Sequence, residues 1–172
     1  MAEKPMLECV QGDITSQEDL AVVVNAANAQ LKTGGGVAGA IHKKAGPELE
    51  RACRPMAPIN PGEAVISDGF GMPNEKIIHC LGPVYNIDKP SDQLLAACYR
   101  NALHLADQES LPSIGFPAIS TGAFGYPLQE AAEVTADAIH STMDDLKVLK
   151  LIRLVLFSAR DHEVFRKALR LT

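Results

Sequence analysis

Six short runs of apolar residues, at 7–10, 21–25, 64–67, 76–81, 113–117 and 151–157, alternate along the chain with longer segments in which apolar residues recur at helical spacing. The short runs predict β-strands, and several are almost wholly apolar: LIRLVLF (151–157) is broken only by Arg153. Strands of that kind are buried on both faces. Between them, 92–107 repeats Leu95, Cys98, Ala102 and Leu105 at helical spacing. Helices are also predicted over 37–44, 47–53, 128–143 and 162–169, with Pro47 at the first position of its helix. Strands alternating with helices imply a central sheet covered on both faces, a three-layer α/β/α sandwich.

With 172 residues and 47% hydrophobic content, the chain has enough apolar material for one substantial core. No charge block or low-complexity stretch marks a linker, so a single domain over 1–172 is expected. Sixteen Lys and Arg against 21 Asp and Glu leave a net charge of −5, which argues against a broad nucleic-acid footprint. A small basic rim at Lys43, Lys44 and Arg51 is compatible with that balance, although such charges most often solvate a helix face. No apolar run reaches the roughly 18 to 20 residues of a membrane span, and MAEKPMLECV has no signal-peptide core. A cytoplasmic monomer without a membrane partner is expected. Cys9, Cys53, Cys80 and Cys98 form no C-x-x-C pair, and the five histidines show no compact ligand spacing. Free, mostly buried thiols, no metal and no cofactor follow.

The chemistry concentrates in VVVNAANAQLKTGGGVAGAIHKKAG (22–46), where a strand meets an Asn-rich turn and three glycines open a helix. Gly34, Gly35 and Gly36 let the backbone approach a ligand closely, and the free N–H groups of the helix start favour an anion. The same run could merely punctuate a loop. Gly34, Gly36 and Gly39 also satisfy G-x-G-x-x-G. In the dinucleotide fingerprint, however, the first glycine ends the strand, whereas here the eight residues AANAQLKT intervene after Asn25. A P-loop is excluded because Val37 and Ala38 follow Gly36. A second small-residue loop, Ser120, Thr121, Gly122, Ala123 and Gly125, follows the strand at 113–117, so two loops could offer N–H and O–H donors to a diphosphate from opposite sides. Phe124 and Tyr126 interrupt it; each could wall a sugar site or plug the core beneath the loop.

Ligands of open α/β sheets bind beyond the carboxyl ends of strands, and both loops follow strands in this way. So do Gln11-Gly12-Asp13-Ile14 and the segment after Phe157. Asp13 could accept a hydrogen bond from the exocyclic amine of adenine and Phe157 could stack on the base; alternatively Asp13 caps a turn and Phe157 fills core.

Together QGDIT (11–15), VVNAAN (23–28), GGGVAGAIH (34–42), IHCLGPVY (78–85) and FPAISTGAFGYP (116–127) resemble the macro domain family over nearly the whole chain. The resemblance implies a mixed, largely parallel sheet and an ADP-ribose site at its crest, with Asp13 and the backbone of Ile14 at adenine and Phe157 stacked on it. By the same similarity Asn28 hydrogen-bonds the distal ribose and Gly34, Gly35, Gly36 and Val37 wrap that sugar. Ser120, Thr121, Gly122, Ala123 and Phe124 enclose the diphosphate, while Asn25 braces the turn beside the ligand.

Many members hydrolyse ADP-ribosyl esters of Asp and Glu or deacetylate O-acetyl-ADP-ribose, and their motif usually reads GGGVDGAIH. Here Ala38 stands at the acidic position while His42 is kept. Viral and archaeal macro domains with Ala at this place include active hydrolases. Catalysis would then rest on positioning: a substrate phosphate takes the proton of a water held between diphosphate and distal ribose, Asn28 fixes the ribose, the Gly35 and Gly36 N–H groups bind water or sugar hydroxyls, and Phe124 shapes the distal pocket. His42 could face that pocket or the core, and His79 reads as structural. The resemblance thus implies a hydrolase acting on ADP-ribosylated proteins or O-acetyl-ADP-ribose. A non-catalytic ADP-ribose reader and a phosphatase acting on ADP-ribose 1″-phosphate are the other readings.

Overall fold

The computed structural model describes residues 3–171. Its sheet has six strands: β1 (Met6–Gln11), β2 (Val22–Ala26), β3 (Ala64–Asp68), β4 (Lys76–Cys80), β5 (Ser113–Phe116) and β6 (Leu151–Leu156). Their order is β1-β6-β5-β2-β4-β3, all neighbours pairing in parallel except the β3–β4 edge. Five α-helices cover it: α1 (Gly36–Ala45), α2 (Pro47–Cys53), α3 (Ser91–Gln108), α4 (Leu128–Thr142) and α5 (Ala159–Ala168).

Strand alternation divides the interior in two. Val22, Val24, Ile78, Ile114, Leu154 and Leu156 face α3, α4 and α5 in one apolar cluster, while Val23, Ile77 and Val155 face α1 and α2 in the other. The α/β/α sandwich expected from the pattern is therefore present, and its sheet is mixed. Arg153, the exception in LIRLVLF, lies on the thinner α1/α2 side, where it bonds Glu8 Oε1 at 2.6 Å and Asp19 Oδ2 at 2.7 Å.

The largest boundary difference is at α5, which starts at Ala159 and not at 162. Ser158 caps it, its Oγ accepting the Asp161 N–H at 3.1 Å. The first turn, Ala-Arg-Asp, carries no apolar periodicity, so apolar spacing alone places the start too late. The strand at 113–117 stops at Phe116 because Pro117 has no N–H to continue a ladder.

Candidate functional site

A cleft of about 690 Å³ opens above the carboxyl ends of β1, β2, β5 and β6. Gly34, Gly35, Gly36 and Val37 form one wall, Ser120, Thr121, Gly122, Ala123 and Phe124 the opposite one, and Asp13, Ile14 and Phe157 close one end. The strand order brings these segments together, since β1, β6, β5 and β2 are consecutive neighbours. Asn28 and Ala38 lie between the walls, Ala38 being nearly buried.

Among the described residues the lining has no Lys, Arg or His, and its only charged residues are Asp13 and Asp161. An anion here must be held by N–H and O–H donors. Gly35 is the N-cap of α1 and Gly36 follows with φ +56, so the free N–H groups of the first turn open into the cleft. Across from them Ser120 takes φ +68, a conformation unusual for a residue with a side chain. Its hydroxyl is buried with no hydrogen-bond partner among the described residues, an O–H donor in waiting. Thr121 differs from the expectation of a free donor, because its Oγ1 donates to the Ala118 carbonyl at 3.0 Å.

Asp13 does two things at once. Its Oδ1 accepts from the Thr15 N–H at 2.8 Å and the Thr15 hydroxyl at 2.7 Å, which depresses its pKa and caps the short helical turn at Ile14–Ser16. The second carboxylate oxygen is left for a ligand. Phe157 is 84% exposed at the mouth, so the core-filling alternative is overturned. Phe124 lines the cleft, whereas Tyr126 is buried outside it against Tyr85.

Asn28 is half-buried, and its side chain closes the turn beneath the glycine loop: Oδ1 accepts the Lys32 N–H at 3.0 Å and Nδ2 donates to the Lys32 carbonyl at 2.8 Å. One amide hydrogen and one lone pair remain for a ligand. Glu50 of α2 holds the same loop from outside by accepting the Thr33 N–H at 3.2 Å.

Two expected site residues lie elsewhere. Asn25 is fully buried and its Nδ2 lies 3.1 Å from His79 Nδ1; it braces the sheet under the cleft and offers nothing to a ligand. His42 is also a correction. It is buried and absent from the lining, because the α1 face that presents Ala38 to the cleft carries position 42 one turn deeper into the protein. Burial lowers its pKa, favouring neutral imidazole. Sequence reasoning missed Asp161, Gly82 and Ala118 of the lining. Asp161 was hidden by the late helix start; Gly82 carried a signal in GPVY, directly after a strand end.

His79, with Ser67 Oγ 2.9 Å from its Nε2, is held neutral by burial with its pKa at about 3. A histidine pKa depressed on folding means that the unfolded chain binds more protons below its ordinary value of 6.5, so stability is full above that pH and is lost as pH falls toward 3. His42 acts in the same direction. The unfolding free energy read from urea melts is therefore expected to fall between about pH 6.5 and 4.5, at up to about 1.4 kcal/mol per pH unit from His79 alone, and the urea midpoint falls with it. A flat midpoint over that window would show both histidines titrating as they do in the unfolded chain.

The model of the Macro domain family matches residues 24–135. A protein named O-acetyl-ADP-ribose deacetylase from Klebsiella pneumoniae is 41% identical, with 98% of each chain covered. The solved Oceanobacillus iheyensis macrodomain with ADP is 43% identical, with 99% of this chain and 93% of that chain covered and a TM-score of 0.93. A Trypanosoma brucei macrodomain in complex with ADP-ribose is 33% identical, with 94% and 68% covered and a TM-score of 0.87.

Proposed function

The chain belongs to the macro domain family, and from that premise we propose that it binds ADP-ribose in the crest cleft and hydrolyses ADP-ribosyl esters, on modified Asp or Glu side chains or in O-acetyl-ADP-ribose. The observation that carries the reading is the pair of facing donor walls in a cleft without cationic side chains: the α1 start at Gly35 and Gly36, and the unpartnered Ser120 hydroxyl. A diphosphate fits between them by charge and by donor count. Adenine then lies against Phe157 with its amine toward Asp13, and the distal ribose lies near Asn28 and Phe124. The Oceanobacillus and Trypanosoma macrodomains, with ADP and ADP-ribose respectively, support ADP-ribose binding by similarity.

Hydrolysis of a glutamyl ester proceeds by water. Its oxygen bonds to the anomeric carbon, the bond from that carbon to the carboxyl oxygen breaks, and the carboxylate leaves with the electron pair. The proton passes to a diphosphate oxygen and on to solvent. Asn28 and the Gly35 and Gly36 N–H groups position sugar and water, so orientation supplies the acceleration. No side chain of the lining other than Asp13 and Asp161 is a carboxylate, and Asp13 lies at the opposite, adenine end.

Release of free ADP-ribose from a glutamate-linked auto-ADP-ribosylated protein and acetate release from O-acetyl-ADP-ribose test this directly. Turnover of either substrate, abolished when the cleft is blocked by excess ADP-ribose, is the expected result. Tight binding without release would establish instead the reader that Ala38 favours, since a methyl group lines the cleft where many hydrolases of the family carry a carboxylate. Ala38→Asp is expected to raise kcat about tenfold with little change in KM, as a general base would. An unchanged kcat would show that water activation is not limiting.

A further inference from the structure

Behind the 120–126 loop lies a second depression, of about 810 Å³, that the reaction leaves unused. Tyr85, Lys89 and Asp92 frame one side, and Glu130, Glu133 and Asp137 of α4 the other. The loop is the wall shared with the cleft. Ser120 and Phe124 face the cleft and Tyr126 faces the depression. The Tyr126 N–H donates to the Ser120 carbonyl at 2.9 Å, and the Tyr85 N–H to the Phe124 carbonyl at 2.8 Å. The end of the cleft shaped by Phe124 therefore abuts the depression.

Among the described residues, Asp92, Glu130, Glu133 and Asp137 have no ion-pair partner, and Glu133 accepts only from Gln129 Nε2, at 3.2 Å. Glu130, Glu133 and Asp137 recur on one face of α4, a spacing that sets like charges on neighbouring turns at a cost to the helix. Glu130 gains from the helix start; Glu133 and Asp137 do not. Only Lys89 opposes them in the lining.

Tyr126 adds what an acidic helix face lacks. Its ring is buried, the residue being only 4% exposed, while its hydroxyl reaches the solvent of the depression and bonds no described residue. It opens into the depression, where Asp92 and Glu130 join burial in pushing its pKa up. The Tyr85 ring packs on it with centroids 4.7 Å apart, and Tyr85 donates its own hydroxyl to Glu130 Oε2 at 3.1 Å. A guanidinium matches this arrangement: its flat face stacks on a tyrosine ring and its N–H fork reaches carboxylates and the free phenol oxygen together. Anions are repelled, and an ammonium lacks the flat face.

We propose that this depression binds an arginine-bearing cationic segment of the modified protein while the attached ADP-ribose fills the cleft. The proposal rests on the ADP-ribosyl-ester reading above and names the class of protein that reading acts on, one with basic residues flanking the modified side chain.

Two synthetic peptides test it, each with one glutamate-linked ADP-ribose, flanked by arginines in the first and by glutamines in the second. The arginine peptide is expected to bind about tenfold more tightly, with an advantage that shrinks as salt is raised and disappears in the E133K/D137K variant. Free ADP-ribose should bind the parent protein and that variant equally, because neither position lines the cleft. Equal affinities for the two peptides in a protein that binds free ADP-ribose would overturn the proposal. Failure to bind free ADP-ribose would instead overturn the cleft reading. In that case the unmodified arginine peptide decides by NMR titration: shifts at Tyr126 and Val134 uphold a site for basic segments, and their absence there removes it.

Discussion

Gly39→Ala is expected to lower ADP-ribose affinity and turnover by about 100-fold while the protein still folds. A Cβ at position 39 would stand 2.3 Å from the Gly34 carbonyl oxygen, a backbone atom that cannot rotate away. Either the 34–36 loop or the first turn of α1 must shift by an ångström or so, and these two elements form one donor wall of the cleft. Displacements of that size misdirect every N–H aimed at the diphosphate together. The damage to stability is smaller, about 1 to 3 kcal/mol, because the loop is exposed and can yield outward. Calorimetric titration with ADP-ribose alongside a urea melt separates the two effects. Full affinity in a stably folded Gly39→Ala protein would remove the glycine loop from the site.

Asn28→Ala should cost about 2 kcal/mol of binding, or roughly 30-fold in Kd, and at least as much in kcat/KM. Two losses combine. The amide hydrogen and lone pair left for the distal ribose disappear, and so do both bonds to Lys32 that close the turn under the glycine loop. Asn28→Asp divides them, since its carboxylate still accepts the Lys32 N–H yet cannot donate to the Lys32 carbonyl or to a ligand. If Asn28→Asp hydrolyses as the parent does while Asn28→Ala fails, the role of the residue is to hold the loop. If both fail, donation by the amide, to the Lys32 carbonyl or to the distal ribose, is what the site requires. Unchanged affinity in Asn28→Ala would place the distal ribose elsewhere.

The loop and the turn show why parts of the site could be read from the chain alone. Glycine runs after apolar strands have local meaning: absent Cβ atoms and free N–H groups act within a few residues of themselves. Residues whose meaning is not local resisted. His42 sits four positions after Ala38 on the same helical face, and spacing could not say where the cleft ends and the interior begins along that face. Tyr126 lies two residues after Phe124, where plain alternation would set both rings on one side; Gly125 between them takes φ +74, and Phe124 lines the cleft while Tyr126 lines the depression behind it. Thr121 looked like a donor until the neighbouring Ala118 carbonyl claimed its hydroxyl.

Apolar patterning was enough to establish the layers, the strands and nearly all helix limits, because burial on two faces leaves strands almost nothing but apolar residues to choose from. The same pattern, with the motifs it brackets, was enough to bring Asp13, the glycine loop, Ser120 and Phe157 under one hypothesis. Strand order settled the rest. Placing β5 between β6 and β2 set two donor loops opposite each other, turned Phe157 out to solvent and left Tyr126 open to a second depression. Those outcomes depend on contacts between segments up to a hundred residues or more apart, and such contacts are selected by the packing of the whole sheet, which no local pattern encodes.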